Sequence, residues 1–185
     1  ASYQHLLLAH YICSRVSCCI RVGAILGCIP LIDANCGSYM VIAGGEFHCL
    51  AQLLHVLSNG INAEVLCYDP FRGIIVDSFD KARRILAVRM WKVEEARHAR
   101  RWLIVDGFYG QSRNQIVKIL SREIVKRGGT AHIVKALYID EKLLRNLGVD
   151  NYDAVVISSC PRIAVDDLAH FEKPVLTVRE ALYVL

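Results

Sequence analysis

Short apolar runs separated by longer amphipathic stretches constrain this chain more than any other feature. Tyr39-Met40-Val41-Ile42-Ala43, Val65-Leu66-Cys67-Tyr68, Trp102-Leu103-Ile104-Val105, Ala154-Val155-Val156-Ile157-Ser158 and Pro174-Val175-Leu176 are the clearest cases. Most stop at or near Gly, Pro or Asp. A strand that is apolar at consecutive positions is buried on both faces, as happens in a parallel sheet covered by helices. Further strands are expected at 20–26, 73–76 and 132–137, and helices at 2–16, 47–57, 78–101, 114–127, 140–147 and 178–184, with Ser78 as a helix cap. The fold class is therefore α/β, with two similar domains, each a mainly parallel sheet flanked by helices. The expected boundaries are 1–80 and 102–185, joined by a basic helix over 81–101. The first unit opens on a helix where such units usually open on a strand, so its opening strand is read as missing.

With 185 residues the chain suits one large domain or two small ones. Its 54% apolar content excludes intrinsic disorder. Arg15, Arg21, Asp33 and Glu46 interrupt the greasiest region, so no membrane span and no membrane partner are expected. The chain begins at Ala1, and no basic stretch precedes Leu6-Leu7-Leu8. It is read as lacking a signal peptide, and as trimmed or part of a longer product. There are eight cysteines, in a chain neither small nor poor in core residues. That argues for a reducing, cytoplasmic setting with most thiols as small buried hydrophobes.

Charge is uneven. Residues 81–130 hold 13 basic and 4 acidic side chains, while 1–80 hold 3 and 6. The run Lys81, Arg83, Arg84, Arg89, Lys92, Arg97, Arg100, Arg101 reads either as a solvated helix face or as a docking surface for an acidic partner.

Glycine-rich phosphate loops and Cys-x2-Cys pairs are absent from the sequence, as is a Cys-x3-Cys-x2-Cys run. His5, His10, Cys13 and Cys18 lie outside the usual zinc spacings. Ligands of parallel sheets gather at the carboxyl ends of the strands. That edge should hold Gly44-Gly45 and His48 in the first unit, and Gly107-Phe108-Tyr109-Gly110-Gln111-Ser112-Arg113 in the second. Bare amides at a helix start suit an anion such as a carboxylate, and the same glycines suit a simple tight turn. Cys160, before Pro161, ends a strand; Cys28 sits between Gly27 and Pro30. Two strand-end thiols suit metal or cluster ligation, and equally suit two unrelated buried cysteines.

Ile157-Ser158-Ser159-Cys160-Pro161-Arg162-Ile163-Ala164-Val165-Asp166-Asp167 resembles the cysteine-proline-arginine segment of the diphthamide synthase family. Pro174-Val175-Leu176-Thr177 and Glu180-Ala181-Leu182 resemble its closing segment. Gly23 and Ile25-Leu26-Gly27-Cys28 resemble its middle-domain cysteine motif. Ile42-Ala43-Gly44-Gly45-Glu46-Phe47-His48 and Tyr68-Asp69-Pro70-Phe71 follow in the family's order. The resemblance implies a fold of three similar α/β domains, each giving one cysteine to a [4Fe-4S] cluster. It implies that S-adenosylmethionine binds the fourth iron and donates a 3-amino-3-carboxypropyl radical to a histidine of elongation factor 2. Cys28 would be the middle-domain ligand and Cys160 the last-domain ligand, meeting at one crevice.

The chain departs from the family in two ways. The first domain and its cysteine are missing, and Ala24 stands where the family usually has Gln or Glu. Cys36 could stand in as a ligand, though the family gives it no role. The leading expectation is the last two domains of a 3-amino-3-carboxypropyl transferase, working as a dimer with a first-domain polypeptide or sister subunit. The alternative is a non-catalytic partner subunit or truncated homologue that supports a sister subunit's cluster. A third reading, from the residues alone, is an α/β domain pair that binds a small anionic ligand. The methionine carboxylate is expected near Gly44, Gly45 and His48 and the loop holding Gln111 and Arg113. The basic run would then meet elongation factor 2 or its bound RNA.

Overall fold

In a computed structural model, residues 1–26, 29–32 and 36–185 are described, and they divide into the units Ala1–Leu86 and Ala87–Leu185. The first unit contains helix α1 (Leu6–Cys13), strand β1 (Ser38–Ile42), helix α2 (Phe47–Ser58) and strands β2 (Glu64–Asp69) and β3 (Ile74–Val76). Its sheet has the order β1-β2-β3, with β1 and β2 parallel and β3 antiparallel to β2. Helix α2 turns Cys49, Leu53 and Val56 inward, a spacing of four and three residues that forms one helical stripe. Cys49 and Leu53 pack with Val41, Ala43 and Cys67 of the sheet side.

The run at 20–26 does not form the expected strand. Only Ile25 pairs, in a single parallel bridge with Ser2, while Ile20 and Leu26 are exposed. The Ser2 amide donates to the Ile42 carbonyl at 2.8 Å, and the Ile25 amide to the Ala1 carbonyl at 2.6 Å. Ala1-Ser2 thus lies between β1 and Ile25, and a two-residue partner is too short to pair the rest of the run.

Cysteine pairing also departs from the reading of the thiols as unpaired. Cys13 is bonded to Cys19, and Cys49 to Cys67. The latter two are buried in the core, as expected, but packing of α2 on β2 brings their Cα atoms to 5.8 Å. Cys18, Cys36 and Cys160 are unpaired among the described residues.

Helix α3 (Phe79–Glu95) runs across the division between the units and is shorter than the expected 78–101. Ser78 does not cap it: its hydroxyl is buried without a partner, and the Phe79 amide donates to the Asp77 carboxylate instead.

The second unit holds strands β4 (Arg101–Asp106), β5 (Thr130–Lys135), β6 (Ala154–Ile157) and β7 (Val175–Thr177), all parallel, in the order β5-β4-β6-β7. Helices α4 (Asn114–Lys126), α5 (Glu141–Asn146) and α6 (Val178–Val184) alternate with the strands. Strand alternation sends Trp102 and Ile104 to one face, where they meet Val117, Leu120 and Ile124 of α4. Leu103 and Val105 take the other face, with Leu144, Val149 and Phe171. Two packed faces explain why β4 and β6 are apolar at consecutive positions.

The basic run is not one solvated face. Arg89 is buried, donating from Nε and Nη2 to both carboxylate oxygens of Glu180 at 2.8 and 2.6 Å, and to the Ala164 and Val175 carbonyls. Lys92 pairs with Glu95 and donates to the Phe171 carbonyl. Lys81 pairs with Glu46, Arg97 with Glu94 and Arg101 with Asp153. Among the described residues no helix is long and apolar enough to cross a membrane.

Candidate functional site

Carboxyl ends of parallel strands expose strand-end residues to a crevice while the strands themselves stay rigid. In the second unit, β4 ends at Asp106, β5 at Lys135, and β6 runs into Ser158-Ser159-Cys160. Asp106 is fully buried. It accepts hydrogen bonds from the Ser158 hydroxyl at 2.5 Å, the Ser112 hydroxyl at 2.8 Å and the Arg113 amide at 3.0 Å. Lys135 Nζ lies 3.9 Å from Oδ2, the oxygen bound by Ser112, and donates to the Ser112 hydroxyl at 3.2 Å. Burial pushes the Asp106 carboxyl up, but the bonds from Ser158, the Arg113 amide, Ser112 and the Gly107 amide outweigh it and hold the group below the usual aspartate value. The buried anion thereby ties the 107–113 loop to the tip of β6.

Gly107 packs tightly at this junction. A Cβ there would sit 3.0 Å from Ser159 Cβ and 3.1 Å from Gln111 Cβ, so a larger residue would need the loop or the strand tip to give by a few tenths of an ångström. Gln111, Arg113 and Cys160 lie at this one edge of the sheet. Gln111 lies in an exposed single turn, Tyr109–Gln111, and the Arg113 side chain is exposed above its bound amide. Cys160 is unpaired and partly exposed, and its carbonyl accepts from the Ile163 amide at 3.1 Å. The Ser159 hydroxyl beside it is buried with no partner.

The first unit has its own carboxyl edge. Gly44-Gly45 follows β1, with Gly45 at φ 78°, a left-handed conformation that favours glycine. A Cβ at Gly44 would collide with the Phe71 ring, so the glycine pair and the Tyr68-Asp69-Pro70-Phe71 segment meet here. Asp69 shapes that segment by accepting from the Phe71 and Arg72 amides at 2.9 and 3.3 Å. His48, in the first turn of α2, is partly buried, with its ring edge-on to Phe47. A cavity of about 90 Å³ is lined by Gly45, Glu46, Cys49, Cys67, Asp69 and Ser78.

Cys28 and Gly27, and with them the expected meeting of Cys28 with Cys160, lie outside the described residues. The segment that follows Cys28 is anchored to α2. The buried Gln52 side chain accepts from the Leu31 amide at 2.9 Å and donates to the Ile29 carbonyl at 3.3 Å. Among the described residues no three His, Cys, Asp or Glu side chains converge as a metal site.

Asp106, Ser158, Lys135 and Gln52 escaped the sequence reading. Asp106 and Ser158 had one signal, a polar residue at the end of a wholly apolar strand. Gln52 had none, because a glutamine in an amphipathic helix reads as surface.

The diphthamide synthesis protein family matches residues 5–185. The chain belongs to this family. Among curated members, 2-(3-amino-3-carboxypropyl)histidine synthase subunit 1 of Saccharomyces cerevisiae is 30% identical over 170 residues, covering 88% of this chain and 38% of that protein. The Mus musculus protein of the same name is 27% identical over 165 residues, with 88% and 36% covered. The solved Dph2 of Pyrococcus horikoshii, described with a 4Fe-4S cluster, shares the fold at a TM-score of 0.62 and 24% identity, covering 78% of this chain and 40% of that one. The chain thus spans well under half the length of these family members.

Proposed function

We propose that this chain is part of a 2-(3-amino-3-carboxypropyl)histidine synthase that transfers a 3-amino-3-carboxypropyl group from S-adenosylmethionine to a histidine of elongation factor 2. The observation that carries the reading is Cys160, an unpaired, partly exposed thiol at a rigid strand end beside the loop of Gln111 and Arg113. A thiol so placed fits one ligand position of a [4Fe-4S] cluster, and Cys28 is the second candidate in this chain. Clusters of this type usually take four protein ligands, or three with one site open, so a first-domain polypeptide or sister subunit would complete the set. When bound, the cluster supplies the electron that breaks the sulfur–carbon bond of S-adenosylmethionine.

The chain's own residues bind and orient. Asp106 keeps Ser158 and the Arg113 backbone in place, which sets where Cys160 and the Arg113 guanidinium sit. Arg113 can grip a carboxylate with two parallel hydrogen bonds. Gly44, packed against Phe71, and Gly45 carry no side chains of their own over their amides, and His48 borders them at the start of α2. A cytoplasmic setting goes with this reading, because the substrate is a translation factor.

The test is anaerobic reconstitution of the chain with a first-domain polypeptide, reading iron content and labelled transfer to elongation factor 2. Cys160→Ser should lower iron content and abolish transfer. Iron and transfer both unchanged in that variant would overturn the reading. Iron uptake that depends on Cys160 without any transfer would favour a supporting, non-catalytic subunit.

A further inference from the structure

We propose that the opposite, amino-terminal edge of the second sheet carries a pocket for a single phosphate group. A cavity of about 260 Å³ opens there, lined by Arg97, His98, Arg100 and Arg127, with Trp102 and Ile124 among its apolar walls. It lies where β4 begins and just before β5, whereas Asp106 and Cys160 lie at the strands' other ends. In parallel strands these are opposite edges of one sheet, so the pocket is separate from the proposed transfer site.

The two central guanidinium groups are exposed at the cavity, and each is held by one hydrogen bond to a backbone carbonyl. Arg100 Nη1 donates to the Arg127 carbonyl at 2.7 Å, and Arg127 Nη1 donates to the Val184 carbonyl at 2.7 Å. Each arginine is tethered through one nitrogen to a neutral acceptor. Among the described residues neither has a side-chain carboxylate within ion-pair distance. Acidic groups on the neighbouring segments have other partners: Glu94 pairs with Arg97, Glu123 with Lys126, and Asp153 with Arg101 and the Arg100 amide.

The backbone is built to bring the two arginines together. Gly128, at φ 74°, and Gly129 turn the chain sharply after α4. A Cβ at Gly129 would lie 2.8 Å from the Arg100 carbonyl and 3.0 Å from Ile124 Cγ2, so only glycine lets the turn approach Arg100. The Thr130 amide then donates to that carbonyl at 2.7 Å.

A guanidinium held by one hydrogen bond has less rotamer freedom left to lose on binding, so less entropy opposes it. Their planar forks match the oxygens of a phosphate, and two such charges favour a dianion over a monoanionic carboxylate. The cavity is smaller than the ~300 Å³ at which pockets for whole small molecules begin. It suits free phosphate or the terminal group of a phosphomonoester.

The experiment titrates the whole chain with inorganic phosphate at constant ionic strength, following the two tryptophan indole resonances by NMR. The Trp102 signal should shift saturably while Trp91 does not. Replacing both Arg100 and Arg127 with Gln should weaken binding at least about tenfold, equivalent to ~1.4 kcal/mol. Arg97→Gln, at an exposed rim position paired with Glu94, should weaken it a few-fold and serves if the double variant fails to fold. Arg113→Gln, at the other edge, should bind phosphate normally. A parallel titration with 5′-AMP separates the sources: equal affinity means the phosphate alone is read, and tighter binding means an ester is. A Trp102 signal that does not saturate, or that chloride shifts as strongly, overturns the proposal. So does unchanged affinity in a folded double variant.

Discussion

Strands β4 and β6 bury every residue from Trp102 to Asp106 and from Ala154 to Ile157, whereas β1 and β3 leave Met40, Ile74 and Ile75 open. The two units use the same strand-to-loop design at the carboxyl edge but secure it differently. In the second unit a buried carboxylate gathers four hydrogen bonds and locks loop to strand. In the first, the buried Asp69 accepts from the Phe71 and Arg72 amides within its own turn, and that turn meets the glycine pair through the contact of Gly44 with Phe71, an exposed ring. A loop held by a buried, satisfied anion is rigid, because displacing it leaves the charge unpaired. A loop held by apolar contact at the surface can shift at small cost. The second edge thus holds Cys160 on a rigid frame, while the first is freer to shift.

The strongest way to break this contrast is to remove the pair that ties α3 into the second unit. Arg89→Ala leaves Glu180 buried without its partner and should cost about 3–5 kcal/mol, the usual range for such pairs. Chemical denaturation should show the loss, and hydrogen exchange should confine it to residues beyond Ala87. Burial raises the Glu180 carboxyl, but the Arg89 and Thr177 contacts more than offset this and hold it below the ordinary glutamate value. Its contribution is present above that ordinary value and fades as pH falls through the lowered native one. Exchange protection confined to the first unit in the wild type would reverse the contrast.

Asp106→Asn comes next. The new amide presents hydrogens to donors that need an acceptor, and the lost charge-assisted bonds amount to about 2–3 kcal/mol. Because the Asp106 value is also lowered, the wild type should lose this stability on acidification below the ordinary aspartate range, while the variant's profile is flatter there. Thermal unfolding across acid pH checks both. Gly44→Ala should cost less, about 1–2 kcal/mol, because Phe71 is exposed and can rotate away. An effect as large as that of Asp106→Asn would mean that both edges are equally rigid.

Consecutive apolar positions made β4, β6 and the second sheet legible, because burial on both faces leaves no polar residue to confuse the pattern. The Cys160 edge was legible for the same reason, since a thiol after such a run has to emerge at the strand's end. The inward turn of Arg89 was not. Eight basic residues over 81–101 look alike in sequence, and only the position of Glu180, 91 residues away, decides which one is buried. The Cys49–Cys67 pairing was hidden likewise, because it depends on how α2 lies across β2. The expected strand at 20–26 failed because apolar content alone does not supply a neighbouring strand to pair with.

The smallest expected effect tests whether α6 relies on its own cap or on Arg89. Thr177 accepts from the Glu180 amide at 3.4 Å, while Glu180 reaches back to the Thr177 amide at 2.8 Å, a reciprocal capping box. Thr177→Ala removes one half of the box and should cost about 1 kcal/mol, the typical value of an N-cap hydroxyl. The long 3.4 Å bond argues for the low end of that range, since Glu180 is already oriented by Arg89. In an Arg89→Ala background the same substitution should cost more, because the cap would then be Glu180's remaining anchor. A double-mutant cycle reads this directly: equal costs in both backgrounds would show that cap and ion pair act independently.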